Sequence, residues 1–281
     1  MQKRKLKDYN TFSRADFENA IVLGLNNAGW LPGFFTDEVH GVEHGRDVVK
    51  TSRLLVENLT EEETARLVEE GKQFDPQDGY ESSLGAIRIM AFLHDCGRFS
   101  ETGELWPMEQ QSDHPAIGAE RTKDLCVHLG LTTLAPISFD GISNHEYQNP
   151  RITPQYQSAK TLIAKIATSA DQLGWFRDDF IERTIAFNQS MGRPFFDPNA
   201  STEQRLAWIS NTQAADALTV ILSQVDYPIN PERFGTAYSR DLAKQYQKPL
   251  KQRLVETIQK LEPERAPQIL DAMRAYEKAV K

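Results

Sequence analysis

Residues 84–99, LGAIRIMAFLHDCGRF, carry the pattern that decides the fold. Apolar residues recur three and four positions apart up to Leu93, which is the period of a helix with a buried face. We expect this helix to end at the polar pair His94 and Asp95, because the glycine that follows at position 97 favours termination. Neighbouring helical residues point about 100° apart, so two adjacent side chains can meet at one ion only at a helix end. The stretch therefore predicts a core helix with a polar site at its carboxyl end.

The same helical period continues through most of the chain and predicts an all-α protein, because strand-like alternation is scarce. One helix is expected to begin near His44, and another to run from about Gln155 to Leu173. Two residue pairs have the spacing of a capping box and mark helix starts: Ser13 with Asp16, and Thr60 with Glu63. Turn-rich breaks are expected at Phe74–Gly79, Ser100–Asp113, Tyr147–Pro154 and Arg193–Asn199.

The length of 281 residues is enough to bury a substantial core. We expect a single all-helical domain over residues 1–281, with a core at about residues 37–173 that holds the polar clusters. A helical extension at about residues 201–281 contains no histidine. Its last part, residues 248–281, is charged on most faces and is predicted to be a solvated outer helix. The extension could also provide a surface for a partner or for a homodimer.

The composition disfavours several classes of partner. Thirty-two Lys and Arg against 40 Asp and Glu give a net charge of −8, whereas binding duplex nucleic acid requires a basic surface. No stretch approaches the roughly 18 consecutive apolar residues of a membrane span, so no membrane contact is expected. The two cysteines cannot form a disulfide framework, which predicts a reducing, cytoplasmic location.

Histidines and acids occur together in this chain. Five of the six histidines lie in clusters that contain acids: His40 and His44, His94 with Asp95, His114 beside Asp113, and His145 beside Glu146. Imidazole and carboxylate are the ligands of zinc, iron, manganese and nickel, and a hydrolytic site needs several of them. Asp171 ends an otherwise apolar run, and a buried carboxylate needs a counter-charge. A metal ion would supply it, and an N-cap or a buried pair with an arginine are the alternatives.

The ordered series of His44, His94 with Asp95, and Asp171 resembles the HD-domain superfamily of metal-dependent phosphohydrolases. The resemblance covers about residues 37–173, and its motifs are AFLHDCGRF, the preceding HGVEHGRDVV and the following IATSADQLG. Two further segments, HPAIGAE from His114 and SNHE at 143–146, resemble the histidine-enriched subgroup that includes the HD-GYP domains. The chain departs from that subgroup because Asn144 replaces a histidine and the GYP element is absent. These departures argue against a cyclic di-GMP phosphodiesterase.

The resemblance implies a helical bundle with additional C-terminal helices and a site for one or two divalent ions, whether Fe, Mn, Zn, Ni or Mg. It places one ion on His44, His94, Asp95 and Asp171, and a second ion on Asp95, His114 and His145. In the mechanism that it implies, Asp95 bridges the two ions and a hydroxide shared by them attacks phosphorus.

Further roles follow from the residues around these ligands. Arg98 stands where the superfamily often has a lysine and is the candidate phosphate clamp, with Arg46 and Lys50 as weaker candidates. His40 is the candidate general acid, because an imidazole can protonate a leaving oxygen near neutral pH. The alternative for His40 is a hydrogen bond to nearby backbone at a helix start. Asn144 is expected to bond substrate or to orient His145.

Several aromatic residues lie near the motifs. Trp106, Trp175 and Phe176 could stack on a base or ring of the substrate, or could belong to the core. Phe195 and Phe196 have the same two interpretations, as a pocket wall or as the anchor of a turn. His128, which has no acid neighbour, is predicted to be structural.

These observations predict a phosphohydrolase, either a phosphomonoesterase or a phosphodiesterase. Its substrate is expected to be a nucleotide or another small phosphorylated metabolite. The first alternative is an HD-type diiron oxygenase, because identical ligands can serve both chemistries and the surrounding residues decide between them. The second alternative is a non-catalytic signalling module that binds a metal or a nucleotide.

Overall fold

A computed structural model of the chain describes residues 41–74, 76–99, 113–128, 132–146, 156–176, 179–210, 216–225 and 229–280. Within these ranges the chain forms eleven α-helices and two short 3-10 helices, with no strand. The predicted all-α fold is therefore confirmed. The predicted roles of His40 and Trp106, the cap at Ser13 and the side chains of His128 and Trp175 lie outside the described residues.

The chain divides into two compact units. The first contains the described residues up to Glu146, together with Ser158–Asp171 and Pro231–Ser239. Its helices are α1 (Val42–Glu57), α2 (Glu61–Gly71), α3 (Gly79–Leu93), α4 (His114–His128), α5 (Ala135–Ser143) and α6 (Leu162–Leu173), the last as far as Asp171. The predicted core thus contributes to the first unit, which also takes a short segment from the predicted extension. The single-domain organisation stays a prediction.

Helix α3 is the centre of the first unit and packs against α1, α2, α4 and α5. From Ala86 to its end this helix is almost entirely buried, including Ile87, Met90, Phe92 and Leu93. Its amino end is capped by Asp78, whose side chain accepts a hydrogen bond from the Glu81 amide. The burial of an apolar run on all sides explains why the polar residues that follow α3 lie inside the unit rather than on its surface.

The capping box at Thr60 is confirmed, with Thr60 and Glu63 exchanging side-chain and backbone hydrogen bonds at the start of α2. The predicted start of α6 near Gln155 is wrong, because the helix begins only at Leu162. The Glu70 carboxylate accepts the backbone N–H groups of Leu162 and Ile163 at 2.9 and 3.0 Å, which satisfies donors that a longer helix would bond internally. This start depends on a residue about ninety positions earlier in the chain.

The second unit contains Gln172–Asn230, Arg240–Lys281 and the described part of Tyr147–Gln157. Its helices are α7 (Phe180–Ser190), α8 (Thr202–Ser210), α9 (Ala217–Val225), α10 (Ala237–Leu261, from Arg240 onward) and α11 (Ala266–Val280). Helix α9 packs against α7 and α8, and α11 packs against α8.

The prediction that residues 248–281 form a solvated outer helix is wrong in two respects. The helix is interrupted at 262–265, where Pro263 follows the end of α10. Helix α11 also buries five side chains on one face, which are Ala266, Ile269, Met273, Tyr276 and Val280. The spacing of these five residues is that of an amphipathic helix.

A buried ion pair between Arg205 and Asp216 organises the second unit. The guanidinium of Arg205 also lies over the ring of Phe196, 4.7 Å from its centroid. Phe195 and Phe196 are both buried, and the Phe195 carbonyl accepts the Leu218 amide at 3.0 Å. These contacts favour the interpretation of the two phenylalanines as turn anchors.

Candidate metal centre

The site is built around the turn that ends α3. His94 is the C-cap of this helix, and Asp95 leads into the 3-10 turn Cys96–Arg98. The Arg98 amide donates to the Asp95 carbonyl at 3.0 Å, which closes the turn. Both side chains of the predicted pair are buried. The helix end thus places an imidazole and a carboxylate side by side in the interior, as the sequence predicts.

Two glycines let neighbouring backbone approach this turn closely. A Cβ atom at position 97 would lie 2.0 Å from the carbonyl oxygen of His114, so only glycine allows α4 to begin against the turn. A Cβ atom at position 45 would lie 2.7 Å from the Phe92 carbonyl oxygen, where α1 crosses α3. These close approaches bring two histidines up to the end of α3. His44 directly precedes Gly45 in the chain, and the His114 backbone lies against Gly97.

One group of three side chains, called group A here, consists of His44, His94 and Asp171. The Nε2 atoms of His44 and His94 are 3.1 Å apart. They lie 3.3 and 3.2 Å from Oδ1 of Asp171. The partners of Asp171 are thus two imidazoles, and the alternatives of an N-cap or a pair with an arginine are not what the structure shows.

A second group, called group B, consists of Asp95, His114 and His145, all of them buried. The Nε2 atoms of His114 and His145 are 3.2 Å apart. They lie 3.3 and 3.5 Å from Oδ1 of Asp95. Groups A and B each bring three ligand atoms within 4.8 Å of one another, so each could hold a metal ion.

Asp95 joins the two groups, because its two carboxylate oxygens face different sides. Oδ1 faces the two histidines of group B. Oδ2 lies 3.7 Å from Nε2 of His44 and 3.6 Å from Nε2 of His94, in group A. A carboxylate in this position can contribute one oxygen to each of two adjacent ions.

The orientation of two rings fits metal binding. Nδ1 of His94 lies 2.9 Å from the Ala91 carbonyl oxygen, and Nδ1 of His145 lies 2.6 Å from the Ile142 carbonyl oxygen. A carbonyl accepts only, so Nδ1 carries the proton in each ring and Nε2 presents its lone pair to the site in the neutral form. Two nitrogens bound to one ion at about 2.0–2.1 Å lie roughly 3.0–3.4 Å apart, which matches both nitrogen pairs.

The charges of the site differ between the two groups. Burial alone would lower the pKa of His94, but the carboxylates of Asp171 and Asp95 outweigh it and raise that pKa to about 9. In group B, burial and the positive charge of Arg98 lower the pKa of His114. Burial opposes ionisation of Asp95 as well, yet the charges of Arg98 and His94 hold its pKa well below the usual range. Group A therefore attracts positive charge more strongly than group B does.

Arg98 lies between Asp95 and Glu146 and contacts both carboxylates. The sequence-based prediction did not assign Glu146 to the site. Nε of Arg98 donates to Oδ1 of Asp95 at 2.8 Å, and Nη2 donates to Oε1 of Glu146 at 3.2 Å. Oε1 of Glu146 also lies 3.4 Å from Nε2 of His114. The position of Glu146 directly after His145 was the signal that could have identified it.

The remaining candidates have hydrogen-bond partners outside the two groups. Arg46 pairs with Glu43, and Lys50 pairs with Asp47 at 2.7 Å, in both cases one turn earlier on α1. At about 100° per residue, Arg46 is offset from His44 by roughly 160° and Lys50 by roughly 120° around α1, and their roles in binding phosphate stay predictions. The Asn144 amide donates to the carbonyl of Asp140 at 3.0 Å. His145 is instead oriented by the Ile142 carbonyl, and a role for Asn144 in binding substrate stays a prediction.

The two cysteines are free and buried. Burial raises the pKa of both thiols to about 11, so neither Cys96 nor Cys126 presents a thiolate near neutral pH. The ligand atoms of the site are therefore nitrogen and oxygen, which suits zinc, iron, manganese or nickel.

Comparison with known proteins adds no relative, since no family model, no curated protein and no solved structure matches the chain. Among the described helices, none has both the length and the apolar character that crossing a membrane would require.

Proposed function

We propose that this protein is a metal-dependent phosphohydrolase with two adjacent ion sites, acting on a nucleotide or another small phosphorylated metabolite. The observation that supports it best is Asp95, whose two oxygens face two separate groups of buried ligands. Six ligand residues arranged in this way are unusual for a purely structural cluster, because buried imidazole nitrogens that face each other gain little without an ion between them. The resemblance of the motifs to the HD-domain superfamily points to the same chemistry.

The residues of the chain have distinct tasks in this proposal. His44, His94 and Asp171 would hold one ion, His114 and His145 the other, and Asp95 would serve both. Two adjacent divalent ions withdraw charge from a phosphoryl group and generate a nucleophile from water near neutral pH. Arg98 lies at the rim of the cluster, and its guanidinium stays charged because Asp95 and Glu146 raise its pKa against the effect of burial. A fixed cation at that place would attract a phosphate ester.

The substrate is proposed to be small. A net charge of −8 disfavours a long polyanion as a partner, while two divalent ions would exceed the charge of the carboxylates that hold them. A cytoplasmic setting and a homodimer formed through the C-terminal helices belong to the same proposal.

An HD-type diiron oxygenase is the second candidate. The observation that favours it is the number of histidines, because four of the six ligand residues are imidazoles and imidazole suits iron. Turnover separates the two candidates. Full activity on a phosphate ester under nitrogen with manganese or magnesium supports the hydrolase, whereas consumption of dioxygen with an organic substrate by the iron form supports the oxygenase.

The principal test is metal quantitation combined with a panel of nucleotides, cyclic nucleotides and sugar phosphates. We expect the purified protein to carry a transition metal and to release phosphate or a phosphomonoester from at least one class. The variant Asp95→Ala should lose both metal and turnover. Asp241→Ala, which removes an exposed carboxylate paired with Lys244, is the matched control and should retain both.

Two results would contradict the proposal. A wild-type protein without transition metal, together with an Asp95→Ala variant of unchanged turnover, would remove the basis for metal catalysis. Metal bound at both groups with no turnover on any ester would favour the non-catalytic signalling module instead.

A further inference from the structure

The two groups of ligands differ in what already neutralises their carboxylates. In group A, Oδ1 of Asp171 lies against Nε2 of His44 and of His94, which are themselves ligands of the same ion in the proposed site. In group B, Oδ1 of Asp95 accepts a hydrogen bond of 2.8 Å from Arg98. A guanidinium does not lose its proton in a protein, so this positive charge stays in place.

Arg98 therefore places a positive charge at the carboxylate oxygen that the ion of group B would also contact. An ion held by His114, His145 and Asp95 would approach the same oxygen that Nε of Arg98 contacts. Two positive charges that share one carboxylate oxygen in a buried site repel each other strongly, because the interior screens charge much less than water does.

Glu146 offers Arg98 a second carboxylate. Its Oε1 accepts from Nη2 of Arg98 at 3.2 Å, so neighbouring nitrogens on one edge of the guanidinium contact the two carboxylates. Arg98 can thus weaken its bond to Asp95 and keep a counter-ion. The negative charge of Glu146 also lies close to group B, since its Oε1 is 3.4 Å from Nε2 of His114.

We infer that Arg98 is an internal competitor for the ion of group B, and that Glu146 is the carboxylate that receives Arg98 when this ion binds. The inference rests on the proposed pair of ion sites and deepens it. The two sites are unequal: group A fills first, and group B fills only at a higher concentration of free metal. Occupancy of group B, and with it any chemistry that needs both ions, then follows the supply of metal.

Titration of the metal-free protein with Co²⁺, followed by absorbance and by calorimetry, tests this order. We expect two binding steps in the wild type. Arg98→Gln should tighten the second step by about tenfold, within the range by which residues around a metal site change its affinity. Glu146→Gln should weaken the second step by a similar factor, and Arg98→Lys, which keeps the cation, should not tighten it.

The pair Arg53 and Glu57 provides the matched control. It is also an arginine–glutamate ion pair, with Nε to Oε1 at 2.6 Å, but it is exposed on α1. Arg53→Gln and Glu57→Gln change the net charge as the test variants do and should leave both steps unchanged. Circular dichroism verifies the fold of each variant, and Glu146→Gln tests the inference by itself if Arg98→Gln does not fold.

The outcomes separate this inference from the proposed function. Two steps of equal affinity, or an Arg98→Gln variant that binds the second ion no better, would overturn the competition alone. A single ion in every variant, or a wild-type protein that binds no Co²⁺, would overturn the proposed pair of ion sites together with it.

Discussion

Each of the two units buries a cluster of charged side chains, and the two clusters differ in the balance between their carboxylates and the cations beside them. In the second unit, Arg205 donates to Asp216, to the hydroxyl of Thr219 at 2.8 Å and to the carbonyl of Asp197 at 2.6 Å. Asp216 accepts in addition the backbone amides of Asp197 and Thr219, each at 2.8 Å. The ion pair balances one positive with one negative charge, and both carboxylate oxygens have donors, although the buried Nε of Arg205 has no hydrogen-bond partner among the described residues.

In the first unit the balance is different. Three carboxylates lie close together: Arg98 contacts those of Asp95 and Glu146, and His94 contacts that of Asp171. The Nε2 atoms of the four histidines face one another in two pairs, so two ring nitrogens are directed at the same space in each group. The comparison teaches that burial of charge does not by itself indicate function. A cluster whose charges balance within the protein, called the completed cluster here, can be explained by the fold alone, whereas one with an excess of carboxylates, called the incomplete cluster, could accept a cation.

The largest effect that we expect comes from breaking the completed cluster. Asp216→Ala leaves the guanidinium of Arg205 buried without its counter-ion, which costs about 3–5 kcal/mol of unfolding free energy. Denaturant unfolding measures this loss, and Asp241→Ala is the exposed control. The cobalt content of the folded variant should equal that of the wild type. A loss below about 1 kcal/mol would mean that the pair contributes no more than a surface ion pair.

Removal of metal should have the next largest effect, and only on the incomplete cluster. Free ion at a hundred times its dissociation constant stabilises the folded state by about 2.7 kcal/mol. A chelator should therefore lower the melting temperature of the wild type. It should lower that of Asp171→Ala by less, since this variant lacks a group A ligand and keeps only group B intact. Equal shifts in both proteins would show that the chelator acts elsewhere.

Gly97→Ala tests the close approach that brings the ligands of group B together. The new methyl group meets the His114 carbonyl oxygen, and such overpacking costs about 1–3 kcal/mol. We also expect weaker binding of the second ion, because α4 must move away from Asp95. Gly85→Ala is the matched control on α3: no atom lies within 4 Å of its Cβ position, and the change should stabilise the helix by about 0.5–1 kcal/mol. A lower free energy of unfolding with an unchanged metal affinity would contradict the role of Gly97 in positioning the group B ligands.

The smallest expected effect is the change in stability of the metal-free protein with pH, together with the release of protons when metal binds. The pKa of His94 is raised from 6.5 to about 9, so its stabilising contribution to the metal-free protein is complete below about pH 6.5. It is lost as the pH rises through 9. An ion must displace this proton, so calorimetry of Zn²⁺ binding at pH near 7.5 in buffers of different ionisation enthalpy should record proton release. Uptake of protons, or none exchanged, would show that His94 is already neutral.

Much of the fold could be predicted from local patterns. The helical period, the capping box at Thr60 and the end of the central helix at His94 depend on residues a few positions apart, and all three are confirmed. The predicted start of α6 was wrong because the observed start depends on Glu70, a distant residue that no local pattern reveals. The offset of Arg46 and Lys50 from His44 around α1 follows from the helical period alone.

By itself, the sequence determined the helical fold class, since the spacing of apolar residues is a local property, and the resemblance of its motifs implied six candidate ligand residues. These six residues do come together in two groups that could hold a metal ion. Only the tertiary structure decided that Asp95 faces both groups and that Arg98 is divided between Asp95 and Glu146. These relations depend on how closely α1, α4 and α5 approach the end of α3, and that distance is set by packing around glycines rather than by any local preference.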